Sequence, residues 1–103
     1  MTALFRYEDH TVADFGHFAP LTAHEAAVLG YLTKAKPRVV SFEHLCQELW
    51  PIIADQPLNF HNAVSVVIHK LRCKLQPFGL SIVNVHGHGY YLVGDISADW
   101  TTI

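Results

Sequence analysis

Residues 59–93 read NFHNAVSVVIHKLRCKLQPFGLSIVNVHGHGYYLV. At about 100° per residue, Phe60, Val64, Ile68, Leu71 and Leu75 fall on one side of a helix, an apolar stripe suited to lie on a core. Asn62, Val66, His69 and Cys73 fall on the opposite side. Ser65 and Lys70 flank that side, and Arg72 and Lys74 sit nearer the edges. Asn59 is a good cap for the first turn, and Pro77 and Gly79 stop the last one. Beyond them Ile82, Val83 and Val85 read as a strand, Gly87-His88-Gly89 as a tight turn and Tyr90 to Val93 as the return strand of a hairpin.

Charge sets this stretch apart from the rest of the chain. No Asp or Glu occurs between Gln56 and Gly94, where Lys70, Arg72 and Lys74 give +3. The whole chain stands at −2, so the remainder carries −5. A helix and hairpin stripped of acids on an otherwise acidic domain suggest a surface meant for an anion.

The chain has 103 residues, enough for one domain with a modest core. Half the residues are hydrophobic and 16% are charged, the balance of a globular chain. No apolar run approaches the roughly 20 residues that span a bilayer, and Met1 begins no basic-then-apolar leader. A cytoplasmic location without membrane contact is expected. Cys46 and Cys73 are too few for a disulfide scaffold. They are expected as free thiols, the first buried and the second exposed.

From the start, Leu4, Arg6 and Glu8 alternate with Phe5, Tyr7 and Asp9, and Thr11 to Phe15 repeats the strand pattern. Gly16-His17 reads as a turn and Phe18 to Pro20 as a third short strand. Thr22 and Glu25 have the spacing of a capping box, with Leu21 as an apolar staple against Ala26. A helix then runs to about Ala35 and Pro37 stops it. Arg38 to Val40 is an extended link, and Ser41 caps a helix from Phe42 to Trp50, with Leu45, Leu49 and Cys46 facing inward. Residues 52–58 are a loop with two exposed isoleucines, Ile52 and Ile53. The fold class is therefore α+β. A winged helix-turn-helix domain fills residues 1–94, with an N-terminal antiparallel sheet (1–20), three helices (22–35, 42–50, 60–75) and a C-terminal β-hairpin wing (81–93). Residues 95–103 are left as a tail.

With that order in view, the chain resembles the DNA-binding domain of OmpR/PhoB-type response regulators over roughly Leu4 to Val93. Leu21 to Glu25 is similar to the family's L-T-x-x-E at the first helix. Arg38 to Ser41 is similar to R-V-V-S before the second, and Leu45 to Trp50 to its L…x-x-W. Val64 to Leu75 resembles the recognition helix, V-x-V-x-I-x-x-L-R-x-K-L, and Val85 to Tyr90 the wing, V-R-G-x-G-Y. The resemblance implies a third helix in the major groove and a wing on the adjacent minor groove. It also makes the 52–58 loop one that can touch RNA polymerase or a neighbouring subunit. There are departures. Asn62 stands where relatives usually have arginine, His69 replaces a cation, His86 replaces the wing arginine, and Tyr91 stands where arginine is common. No receiver domain, and so no phosphoacceptor aspartate, is expected in this chain.

The function expected is that of a DNA-binding transcriptional regulator. Lys70, Arg72, Lys74 and the amides opening the third helix would meet phosphates. Asn62, His69 and Ser65 would read bases, Asn62 as a bidentate partner of adenine, while Val66 and Cys73 would pack on thymine methyls. His86 and His88 would place the wing, residues 86–90, on the minor groove or backbone. Double-stranded DNA is the expected partner, with a weak or DNA-induced homodimer whose contacts would include Ile52 and Ile53. The alternative is a winged-helix protein-interaction module with weak or lost DNA binding, acting on another transcription factor or RNA polymerase, because three fixed cations release few counterions. His86 and His88 have no Cys or carboxylate at ligand spacing, so no metal and no other cofactor is expected. No His-plus-acid pair accompanies Cys73, so no enzyme is expected.

Overall fold

The structure is a computed structural model describing residues 2–14, 16–52, 56 and 58–99; the side chains of Phe60, His61 and Asp99 lie outside that description, as does Ile53. The N-terminal alternation gives three short strands, β1 (Ala3–Arg6), β2 (Thr11–Ala13) and β3 (Phe18–Pro20). Ala3 and Phe5 are buried while Leu4 and Arg6 face out, the period-two pattern of a half-covered sheet. The antiparallel register aligns Phe5 with Val12 and Val12 with Ala19, so three buried side chains form a row on the inner face.

The chain then forms α1 (Ala23–Ala35), β4 (Val40–Ser41), α2 (Phe42–Leu49) and α3 (Phe60–Leu75). A short 3-10 turn at Gln76–Phe78 follows, then β5 (Ser81–Val85), β6 (Gly89–Val93) and β7 (Ile96–Asp99). Gly79 closes the 3-10 turn at φ 71°, a left-handed conformation that glycine adopts without a Cβ penalty.

The last strand, residues 96–99, departs from the reading of residues 95–103 as a tail, of which residues 100–103 lie outside the described residues. Ile96–Asp99 lies parallel to β1, with Ala3 opposite Ile96 and Arg6 opposite Asp99, so the four strands run β3-β2-β1-β7. The three antiparallel strands are those expected, and β7 adds a parallel edge. Its own sequence, ISAD, is a weak strand signal, since among its described side chains Ile96 and Ala98 pack on the core. Its partner is at the other end of the chain. The Lys36 ammonium donates to the carbonyl of Gly94, which joins β6 to β7.

α1 is the central helix. The capping box is present: the Glu25 amide donates to Thr22 Oγ1 at 3.2 Å and the Thr22 amide to Glu25 Oε1 at 3.0 Å. Leu21 and Ala26, the expected staple, are both buried. Val28, Leu29, Gly30 and Leu32 are buried as well, because α1 packs against α2, α3, β4, β6 and β7. A helix covered on several sides has no single apolar stripe. α2 and α3 are covered on one side only and keep theirs, with Leu45, Cys46 and Leu49 inward on α2.

A second sheet, ordered β4-β6-β5, carries the hairpin. The Arg38–Val40 link proves to be partly strand, with Val40 opposite Tyr90 and Ser41 opposite Gly89. Ser41 also caps α2, accepting from the His44 amide at 3.1 Å. Gly89, expected in the turn, is instead the first residue of β6. The β4 backbone crosses so closely there that a Cβ on Gly89 would stand 1.9 Å from the Val40 carbonyl oxygen. The turn proper is residues 86–88, closed by the His88 amide donating to the Val85 carbonyl at 2.9 Å.

Two predictions follow from this packing. Gly89→Ala should cost about 2 kcal/mol or more, because a backbone must shift to admit the methyl group. Urea unfolding should show a lower midpoint with an unchanged slope; a variant as stable as the wild type would mean that β4 does not press on β6 there. The second concerns Tyr31 on α1, whose hydroxyl donates to Glu48 Oε2 on α2 at 2.5 Å. That hydrogen bond, with burial and the Glu48 charge, pushes the Tyr31 phenol up to about 12 from 10.0. A pKa raised by folding gives stability that is complete below pH 10 and lost as pH rises through 12. Alkaline melts of the wild type should therefore fall more steeply over that window than those of Tyr31→Phe.

Candidate nucleic-acid interface

Asn59 fixes where α3 begins, its side-chain oxygen accepting from the Asn62 amide at 3.1 Å. From that start the helical period sets both faces. Val64, Ile68, Leu71 and Leu75 are fully or almost fully buried, as the stripe predicts; the Phe60 side chain is outside the described residues. Asn62, Val66, His69 and Cys73 are all exposed on the opposite side, with Ser65 and Lys70 exposed at its margins. Val66 retains 45% of its surface in water, a large apolar group left uncovered in the middle of the strip. His86 and His88 are exposed on the turn between β5 and β6. Ile52 is exposed in the loop before α3, at 62%.

The flanks of α3 are tied down on both sides. Toward the hairpin, Ser65 Oγ lies 3.4 Å from the Tyr90 hydroxyl, and Tyr90 itself is buried with its ring edge-on to Phe42 of α2. Arg72 donates from Nε and from Nη2 to the Ile82 carbonyl of β5, at 3.0 and 2.8 Å. The Arg72 guanidinium carbon is also 5.9 Å from the centre of the Tyr90 ring. Toward α1, Lys74 Nζ lies 2.6 Å from Glu25 Oε1, and Glu25 is almost wholly buried. Val66, Val67 and Lys70 line a shallow groove against Thr22–Glu25 at the start of α1. Beside that groove His24 meets the Trp50 ring edge-on, with centroids 5.1 Å apart.

These contacts change the account of the three cations. Lys70, Arg72 and Lys74 are read from the sequence as phosphate contacts. Only Lys70 has no hydrogen bond or ion pair with another described residue. Arg72 is engaged by a strand carbonyl, where its planar fork presents two donors to one acceptor. Lys74 is engaged by a carboxylate that has left water and needs a counter-charge. The sequence reading missed both partners. One signal pointed to the second: Glu25 is the single acid between Asp14 and Glu43, in a segment otherwise read as core. A lone carboxylate entering a core demands a cation, but nothing local says which.

The thiols fall as expected, Cys46 buried and Cys73 exposed. Burial pushes the Cys46 thiol up, toward an inert neutral form. Cys73 lies in a groove with His69, Gln76 and Ser81, between the last turns of α3 and β5.

The Glu25–Lys74 pair yields a test. Lys74→Met should cost about 1–3 kcal/mol, because it leaves the Glu25 carboxylate buried with the Thr22 amide as its remaining partner; the half-exposed lysine head moderates the loss. The double variant Glu25→Gln/Lys74→Met keeps a capping side chain without the charge and should recover most of that. Urea titrations in which the double variant is no more stable than Lys74→Met would show that the pair is not the source of the loss.

The family model described as "Transcriptional regulatory protein, C terminal" matches residues 16–92, a span that holds α1, α2, α3 and the hairpin up to Leu92. No curated protein matches the sequence. Among solved structures the chain is similar to the C-terminal domain of NsrR, the nisin resistance regulator and a lantibiotic response regulator. That match has 29% identity, a TM-score of 0.68, and covers 82% of this chain and 84% of that one. It is similar in fold to the DNA-binding domain of CssR from Bacillus subtilis, at 22% identity and a TM-score of 0.76, over 89% of this chain and 100% of that one. The DNA-binding domain of the response regulator AdeR, solved in complex with an intercistronic region, shares the fold at 22% identity and a TM-score of 0.71, over 94% of this chain and 97% of that one. The exposed strip on α3, its two tethered flanks and the wing all lie within the matched span, and the chain belongs to the OmpR/PhoB-type family of transcriptional regulatory C-terminal domains, winged helices that bind DNA.

Proposed function

We propose that α3 enters the major groove of duplex DNA and that the 86–90 wing lies on the adjacent minor groove or backbone. The observation that carries this reading is the division of labour on α3. Its margins hold it to the hairpin and to α1, while Asn62, Val66, His69 and Cys73 stay exposed along one side. That strip offers one amide, one imidazole and two small apolar groups, the chemistry that meets base edges and thymine methyls. Asn62 is the base reader, Lys70 the fixed cation for phosphate, and His86 and His88 the wing contacts. Arg72 and Lys74 leave the set of phosphate contacts. The AdeR domain, alike in fold, is held on an intercistronic DNA region, which supports duplex DNA as the ligand. A second copy on adjacent DNA would meet the first through the loop that exposes Ile52.

A protein-binding reading draws on a specific observation as well. Within residues 56–94 only Lys70 of the three fixed cations is uncommitted among the described residues. One neutralised phosphate releases about one counterion, which gives little non-specific affinity at physiological salt. The uncovered Val66 would then serve an apolar partner surface on another transcription factor or on RNA polymerase.

Selection on random duplexes, followed by binding isotherms at two salt concentrations, separates the two. Asn62→Ala should lose roughly 1–3 kcal/mol on the selected site and relax the preference at one base pair. Lys70→Ala should weaken all sequences alike and shallow the salt slope by about one. A wild-type protein that binds no duplex even at low salt ends the DNA reading and leaves the Val66 face to a protein.

A further inference from the structure

We infer that Arg72 is a positioning residue that fixes the wing to the recognition helix and thereby sets the offset between the two grooves they address. The inference rests on the DNA reading above and assigns Arg72 a role that the resemblance alone would give to phosphate binding.

The hairpin needs such a link. β5 is the outer strand of its sheet, next to β6 alone. Leu80, Ile82 and Leu92 attach the hairpin to the core through apolar packing, which is not directional. Two donors from one rigid guanidinium on one carbonyl, Ile82 O, are directional: they set both a distance and a plane between the last turns of α3 and β5. The same guanidinium lies near the Tyr90 ring, and the Tyr90 hydroxyl reaches Ser65 nearly two turns earlier on α3. Arg72 and Tyr90 thus grip the hairpin from both of its strands. The wing tip, residues 86–88, begins four residues beyond Ile82 on β5, so a tilt at Ile82 displaces His86 and His88. Lysine cannot reproduce the link, because it lacks the planar pair of donors.

The test separates positioning from contact. On a duplex long enough for helix and wing, Arg72→Lys should bind about tenfold more weakly than wild type, the effect of one charge-assisted link lost. On a duplex cut back to the base pairs that α3 covers, the two proteins should bind alike. Equal weakening on both duplexes would overturn the proposal. Arg72→Gln removes the charge, and the wing carries no lysine or arginine of its own. Its salt slope should therefore match wild type; a slope shallower by about one would make Arg72 a phosphate contact instead. Hydrogen exchange of the Arg72 Nε–H in the wild-type protein needs no variant and decides the matter should both substitutions unfold the domain. It should be slow in the free protein and remain so when duplex is added. Fast exchange, or protection lost on adding DNA, would refute the link. If wild type binds no duplex, the DNA reading fails on its own, and the Nε–H exchange still tells whether Arg72 holds the hairpin.

Discussion

The carboxylate of Glu25 is almost wholly buried, and a buried carboxylate must be met by donors on its own side of the core. Among the described residues it receives two, the Thr22 amide at 3.0 Å and the Lys74 ammonium at 2.6 Å. The first fixes where α1 begins. The second joins that first turn to the last turns of α3. α1 lies against α2, α3 and parts of both sheets, so the angle at which α3 crosses it decides which side chains of α3 reach water. With Lys74 held on Glu25, Val64, Ile68, Leu71 and Leu75 face the core and Asn62, Val66, His69 and Cys73 face out.

The opposite flank of α3 is governed by the hairpin. Arg72 on the Ile82 carbonyl and Ser65 near the Tyr90 hydroxyl hold β5 and β6 to the helix, while Val40 passes over Gly89 and holds β6 to α2 through Ser41. α3 is therefore seated between a carboxylate on one side and a strand on the other. Neither contact uses the face turned to solvent. If that face reads DNA as proposed, its rigid support by groups elsewhere is what preorganised recognition requires.

What was legible in the sequence was local, and what was not was distant. The capping box at Thr22, the caps at Ser41 and Asn59, the stripe of α3 and the hairpin are each decided within a few residues, where period and capping chemistry act. Strand β7 was not legible, because its pairing with β1 joins Ile96 to Ala3 across nearly the whole chain and its own four residues are weakly patterned. The Glu25–Lys74 pair spans 49 positions in sequence. Gly89 reads as a turn residue until β4 is seen crossing it; the approach of another strand leaves no local trace. For the interface the divide is similar. Exposure of Asn62, Val66, His69 and Cys73 came from the wheel, but the wheel does not show that a side chain near the edge has already found a partner. Arg72 and Lys74 keep the resemblance's cation pattern, and each has a partner within the domain, the Ile82 carbonyl and the Glu25 carboxylate.

That diversion of charge shapes how the surface can work. Affinity from counterion release scales with the number of phosphates neutralised and carries no sequence information. On the proposed DNA reading, a face with Lys70 as its uncommitted fixed cation gains little from that source, and short-range contacts of the strip and wing would carry more of the binding. Such contacts depend on placement to within a fraction of an ångström, unlike the long reach of charge. A low-charge face that reads DNA as proposed therefore needs a firmly seated helix and wing. The two cations that have partners within the domain supply that seating, Lys74 on the α1 side and Arg72 on the hairpin side.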